Sequence, residues 1–198
     1  MARLRSHASL EYPVGEKNMK IMRGVLYIPE GASYDVMESP VGELIIITSP
    51  KGLHAILWDI DLKNPKYTKV INSLVKNKNE KIILKTKKQL TEYFDGKRKT
   101  FDLPLVLNGT DFQMKAWRQL QKIPYAKTIS YSEQAAKIGD RKKARAVGMA
   151  NGLNPISIII PCHRVIGSNG KLVGFGGGLD KKAFLLALEQ KYRNRLLS

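Results

Sequence analysis

The sequence predicts two small domains in series behind an irregular N-terminal extension (residues 1–33): an α/β unit over residues 34–104 and a mainly α-helical unit over 105–198 containing a helix-turn-helix. Three observations carry this. Short β-rich runs between Pro and Gly turns come first, apolar residues at helical spacing dominate after residue 105, and the second half is far more basic than the first. A chain of 198 residues has room for a core in one large or two small domains.

Residues 1–33 mix charges with Pro13, Gly15, Gly24, Pro29 and Gly31 and show no period. Arg3, Arg5, Ser6 and Ser9 weakly resemble a transit segment, but Glu11 and Glu16 follow without an amphipathic pattern, so a disordered tail or a start at Met19 or Met22 is expected. The runs 34–38, 43–48 and 53–58 then read as strands of an antiparallel meander, turned at Ser39-Pro40-Val41-Gly42 and Ser49-Pro50-Lys51-Gly52. Residues 65–77 and 86–95 read as helices, the second with Leu90, Tyr93 and Phe94 on one face and a stop at Asp95-Gly96.

Leu105 to Gly109 reads as a linker. Thr110 and Gln113 have capping-box spacing before a helix that puts Phe112, Ala116, Leu120 and Ile123 on one face and ends at Pro124. Ser130 and Glu133 repeat the signature before a short helix with Ala135, Ala136 and Ile138. Gly139-Asp140 turns the chain into a third helix, 141–151, with Ala144, Val147 and Gly148 inward and Lys142, Arg145 and Met149 on another face. Two helices joined by a short glycine turn, the second with a basic face, fit a helix-turn-helix, and they equally fit a plain helical hairpin. Ile156 to Ile160 reads as a buried strand, Asn169-Gly170 as a tight turn, and Asp180 as the cap of a last helix through Phe184, Leu188 and Tyr192.

The chain holds 34 Lys+Arg against 17 Asp+Glu, a net charge of +17. Residues 111–198 carry 16 of those bases and 5 of the acids. Such asymmetry points to a polyanionic partner, nucleic acid before anionic lipid, against the bland reading of a generally basic protein. No apolar stretch approaches the ~20 residues of a membrane span, and one cysteine with no signal-peptide pattern suggests a reducing setting inside the cell. The glycine run 174–178 is neither a dinucleotide fingerprint nor a phosphate loop, and no cofactor is expected.

Cys162, in Pro161-Cys162-His163-Arg164-Val165, is the only cysteine. A lone thiol forms no internal disulfide, which leaves a buried filler or a nucleophile. An unperturbed thiol is mostly protonated at neutral pH, so a nucleophile needs a base or cation nearby. His163 adjoins it, although neighbours on an extended strand face opposite ways and contact would need a turn or a water. Glu189, mid-helix among apolar residues, is the acid best placed to orient the histidine. The alternatives stand beside this: an inert buried cysteine, a core histidine, and a glutamate paired to Lys182 or Arg193. Arg164 has no role that spacing assigns.

The Pro-Cys-His-Arg-Val motif, preceded by Asn154-Pro155 and the isoleucine run, resembles the active-site signature of O6-alkylguanine-DNA alkyltransferases. Ile129-Ser130-Tyr131, Ala144-Arg145-Ala146-Val147-Gly148, Gly174-Phe175-Gly176-Gly177-Gly178-Leu179 and Leu185-Leu186-Ala187-Leu188-Glu189 agree with it in order, across roughly residues 110–190. Leu90-Thr91-Glu92-Tyr93-Phe94 and Phe101-Asp102-Leu103-Pro104 are similar more loosely. The resemblance implies a ribonuclease-H-like N-terminal domain and a C-terminal winged helix-turn-helix. It also implies direct reversal of damage in double-stranded DNA: a flipped O6-alkylguanine gives its alkyl group irreversibly to the cysteine, with O4-alkylthymine left open as a second substrate.

Carried over by position, the resemblance makes Cys162 the acceptor, with His163 deprotonating it through a water and Glu189 behind. Tyr131 donates to the departing guanine, and Asn154 ties the helix-turn-helix to the active-site loop. Arg145 fills the space the base leaves, on a DNA surface that includes Ser130, Ala144, Gly148 and Asn151. Tyr131, Val165, Phe175, Gly176 and Gly177 line the substrate pocket. Some members have an aromatic hydroxyl and a serine where this chain has Phe175 and Gly176, which suggests a wider pocket for bulkier alkyl groups. The zinc site of some members needs cysteines absent here, so no metal is expected. A monomer in the cytoplasm, at the nucleoid, or in the nucleus of a eukaryote, is expected. The rivals are an alkyltransferase-like lesion sensor, whose known relatives lack the acceptor cysteine, a helix-turn-helix regulator, and a cysteine hydrolase that would turn over.

Overall fold

The structure, a computed structural model, describes residues 19–21 and 26–195. Within the segment read as irregular, β1 (Met19–Ile21) and β2 (Leu26–Ile28) pair antiparallel. Three-residue strands are too short to show alternation, which is why they escape pattern reading. The transit-like residues Arg3 to Glu16 and the candidate start Met22 lie outside the described residues.

A four-stranded sheet follows in the order β5-β4-β3-β6. β3 (Ser33–Met37), β4 (Leu44–Ser49) and β5 (Gly52–Trp58) form the expected meander, each within a residue of its predicted ends. The helix predicted over 65–77 is shorter. α1 (Pro65–Ile71) starts at the Asn64 cap and stops, and Val75–Lys76 become β6, paired parallel to β3. α2 (Lys81–Phe94) starts five residues before its predicted position because the Glu80 carboxylate caps it, accepting from Ile83 N at 2.8 Å. Glutamate is an unusual N-cap, so the start carries little signal.

β4 is apolar without alternation because both sheet faces are covered. Leu44 and Ile46 face α2 and the C-terminal half with Ile56 and Trp58. Ile45 and Ile47 face α1 with Ala55 and Leu57. β5 is an edge strand, and its free backbone groups are taken by two distant segments. Leu53 N donates to Pro104 O at 2.8 Å and Val106 N to Leu53 O at 2.9 Å, so Leu105 to Gly109 begins docked on the sheet rather than as a free linker. Ile56 N donates to Pro155 O at 2.9 Å, which fastens the segment before Cys162 to the same edge. Gly52 permits this closeness: it sits at φ +148°, and a Cβ there would strike the Pro104 carbonyl.

The C-terminal half opens with α3 (Asp111–Leu120), whose Thr110–Gln113 capping box forms as expected. β7 (Ile129–Ser130) leads into α4 (Tyr131–Lys137), where Ser130 and Glu133 form the second box. Gly139, at φ +116°, turns the chain. The helix predicted over 141–151 divides into a 3-10 turn, Arg141–Lys143, and α5 (Ala144–Gly152). Trp117 Nε1 donates to Ala150 O at 2.8 Å, and Gln134 and Asn151 exchange amide hydrogen bonds of 3.1 and 2.7 Å, so α3, α4 and α5 form one tied unit.

Residues 156–160 are buried as expected but do not form a strand. Ile158 sits at φ +73° and Ile160 N donates back to Ile156 O, a tight apolar loop. β8 (Val165–Ile166) runs parallel to β7, and the Asn169-Gly170 turn follows with Gly170 at φ +77°. α6 (Leu179–Lys191) starts after Gly178, so Asp180 lies inside the first turn rather than capping it. Its inward residues are Lys182, Leu185 and Glu189, while Phe184 is partly exposed. One core runs from Ile46 and Trp58 through Leu90 and Trp117 to Ile160, Cys162 and Leu185. No helix among the described residues is long and apolar enough to cross a membrane.

Candidate active site

Cys162 does not end a strand: it opens a 3-10 turn, Cys162–Arg164, with Arg164 N bonded to Pro161 O at 3.0 Å. The turn buries three successive side chains, Cys162, His163 and Arg164, and the last two reach the same carboxylate, Glu189. Asn154 shapes the loop beneath it. Its Nδ2 donates to Ile160 O at 2.8 Å and lies 3.3 Å from Cys162 Sγ, while its Oδ1 accepts from Ile156 N. Burial pushes the thiol pKa up, and Asn154, Lys182 and Ser157 oppose that only in part. The resting group is a thiol, and it needs a base.

His163 is fully buried, with Nε2 2.8 Å from Glu189 Oε1. Burial lowers its pKa, and Glu189 restores only part of the loss, so the ring is neutral at pH 7. Glu189 is fully buried too. Burial raises its pKa, but the His163 contact and the Arg164 guanidinium outweigh that and hold the carboxyl at about 2. A neutral ring beside a carboxylate donates through Nε2, which leaves Nδ1 as a proton acceptor. Nδ1 is buried and has no hydrogen-bond partner among the described residues.

Three further groups hold Glu189, none of them assigned by sequence reasoning. Arg164 grips both carboxylate oxygens, with Nε and Nη2 at 2.9–3.2 Å, and its Nη1 donates to Ile123 O. Tyr93 Oη donates to Oε1 and Ala126 N to Oε2, each at 2.9 Å. The glutamate's suggested alternative partner, Lys182, goes elsewhere: its buried Nζ donates to the carbonyls of Val165, Val173 and Gly174, and burial lowers its pKa to about 8. The adjacency of Arg164 to His163, and the cost of an unpaired Glu189, were the available signals.

Tyr131 heads α4 half-buried. Its hydroxyl donates to Val173 O at 2.9 Å and approaches Gly174 O at 3.3 Å, and burial raises its pKa to about 12. Val165 is buried in the core beside the thiol turn. Phe175 and Gly177 pack on Trp58 of the N-terminal half, and Gly176 joins Trp58, Asn154, Ser157 and Cys162 around a cleft of about 50 Å³. At Gly177 the room a side chain would take is filled by the indole from β5, while Gly176 borders the cleft.

On the outer side, Arg145 and Met149 project from α5 as expected, Met149 being 73% exposed. Ala144 and Gly148 are half-buried, with Gly148 against the Tyr131 ring. Ser130 caps α4. Asn151, expected on the DNA surface, is a correction: it is buried and paired with Gln134, because the fourth helical position after Val147 points into the same core.

Fold and site together define a class: a two-domain chain with a basic helical half that holds one buried thiol beside a histidine–carboxylate pair. The matches to known proteins narrow it. Residues 33–107 match the ribonuclease-like domain, and residues 111–191 the DNA-binding domain, of 6-O-methylguanine DNA methyltransferases. The chain belongs to that family. It is 47% identical over 157 residues to the methylated-DNA–protein-cysteine methyltransferase of Methanosarcina barkeri, covering 79% of this chain and 96% of that one. It is similar to the crystal structure of Mycobacterium tuberculosis O6-methylguanine methyltransferase, with a TM-score of 0.75 and 40% identity over 84% of this chain and 97% of that one. A Mycobacterium tuberculosis OGT in complex with DNA aligns with a TM-score of 0.67 and 38% identity, over 81% and 94% of the two chains.

Proposed function

We propose that this protein repairs DNA by direct reversal, as a single-turnover methylated-DNA–protein-cysteine S-methyltransferase (EC 2.1.1.63) that moves the alkyl group of O6-alkylguanine onto Cys162. The observation that carries the reading is the buried chain from Glu189 to His163 next to the one thiol of the sequence. Glu189 fixes the tautomer that leaves Nδ1 a base. A water between Nδ1 and Sγ passes the proton, and the thiolate, steadied by the Asn154 amide, attacks the alkyl carbon in line.

DNA reaches the site through the basic half. The α4–turn–α5 unit acts as a helix-turn-helix and the turn after β8 as its wing. α5 enters the duplex, and exposed Arg145 takes the place of the extruded base, for extrusion costs a few kcal/mol and least for a badly paired base. Tyr131 exchanges its loop carbonyls for the departing guanine and helps neutralise the leaving anion. The protein acts as a monomer without cofactor or metal, in the cytoplasm or, in a eukaryote, the nucleus.

Intact mass spectrometry after incubation with duplex carrying O6-methylguanine tests this. One added methyl on the Cys162 peptide, absent in Cys162→Ala, is expected. Unmodified protein beside intact lesion would overturn it. The sensor reading predicts that second outcome.

A further inference from the structure

We propose that Trp58, which belongs to the N-terminal domain and not to the domain that carries the thiol, limits the size of the alkyl group that reaches Cys162. The inference rests on transfer to Cys162. It concerns which groups are accepted.

Trp58 ends β5 and is 2% exposed. Its ring lies against the glycine loop of the other half: it meets Phe175 edge-on at 5.5 Å, and a Cβ added to Gly177 would stand 2.8 Å from its indole carbons. A Cβ on Gly176 would come within 3.9 Å of the indole nitrogen. The indole thus occupies the room that a larger side chain at Gly177 would fill, and it stands within contact distance of Gly176. Trp58, Gly176 and Cys162 line one cleft, whose volume of about 50 Å³ is a third of the ~150 Å³ that holds benzene in an engineered apolar cavity. In a cleft this narrow beside the thiol, a benzyl group meets the indole wall sooner than a methyl group does.

The ring is held against moving. Its backbone N donates to Asp61 Oδ2 at 2.9 Å. Lys181 Nζ covers the ring at 5.3 Å and is itself ion-paired to Asp59. The Ile56–Pro155 hydrogen bond, two residues from Trp58, ties the strand that carries the wall to the segment that leads into the thiol loop. Trp58 takes no part in the bonds that change. The S–C bond forms as the C–O6 bond breaks, the electron pair leaves with the guanine, and the thiol proton is made over to it through His163 and solvent. The indole acts only on the carbon group in flight.

The test compares single-turnover rates on duplexes carrying O6-methylguanine and O6-benzylguanine for the wild type, Trp58→Phe and Trp58→Leu. Because both substrates sample the same folded fraction, the benzyl-to-methyl ratio is insensitive to any loss of stability. The ratio should rise at least tenfold in Trp58→Leu, with Trp58→Phe between. In the Trp58→Leu background, Gly177→Ala should also be tolerated better than in the wild type. A ratio unchanged in both variants would overturn the assignment even if both rates fell. Should the wild type take up neither group, the transfer reading fails and this inference with it; uptake of methyl with an unmoved ratio sinks the Trp58 assignment alone.

Discussion

Glu189 is the residue on which the site turns, because four neighbours place donors on one buried carboxylate. Glu189→Gln should act twice. An amide can offer N–H to His163 Nε2, which favours the tautomer protonated at Nδ1 and removes the base, so the alkyl-transfer rate should fall by about 100-fold or more. The change also leaves Arg164 buried without its counter-charge, a loss on the order of 3–5 kcal/mol in urea melts. The pH dependence follows from the same group. Its folded pKa of about 2 lies below the ordinary 4.5, so the unfolded chain takes up the proton first as pH falls. That contribution, about 3 kcal/mol, is complete above pH 4.5 and lost as pH drops towards 2. His163, held neutral with a lowered pKa, adds a loss that begins as pH falls below 6.5. Urea midpoints measured from pH 7 to 3 should therefore decline throughout, and Glu189→Gln should flatten the part below 4.5.

At the scale of elements, α5 and the capped start of α4 carry the residues proposed to meet DNA. Ser130 caps α4 one residue before Tyr131, so Ser130→Ala should cost about 1 kcal/mol and loosen the helix end that holds the tyrosine. Arg145→Ala should slow transfer from duplex at least ten times more than transfer from a single strand bearing the same lesion. Equal slowing would remove its role in extrusion. These elements were legible because their caps are local: Thr110–Gln113 and Ser130–Glu133 are signatures read within four residues. β6 and the loop at Ile156 to Ile160 were not. Val75 and Lys76 are strand only because β3 lies beside them, and the isoleucine run loops because its backbone is bent at Ile158 within an apolar surround.

Taken as a whole, the molecule joins its two domains through one core and one sheet edge. Its two tryptophans divide between them, Trp58 in the first half and Trp117 in the second. Single-tryptophan variants Trp58→Phe and Trp117→Phe, followed by fluorescence in urea, should each unfold in one transition that coincides with the loss of helix by circular dichroism. A second transition would separate the domains. The charge on the C-terminal half belongs to this scale too. Neutralising Arg141, Lys142 and Lys143, exposed at the entry to α5, should lower the salt dependence of DNA binding, the slope of log K against log salt falling by about 1 for each phosphate contact removed.

The strands of the meander, the capped helices, the basic half and the ordered motifs around one cysteine were legible in the sequence, since each is encoded by residues close together in the chain. It pointed to His163 and Glu189 as well, because a carboxylate among apolar residues demands a partner. The partners themselves were decided by tertiary structure. Tyr93, Ala126 and Arg164 converge on Glu189 from three separate segments, Lys182 turns to backbone carbonyls, and Asn151 turns inward to Gln134. Trp58 reaches the glycine loop from more than 100 residues away. Burial makes unpaired polar groups and empty space costly, so the chain brings whichever distant side chain satisfies them, and no local spacing announces which one that is.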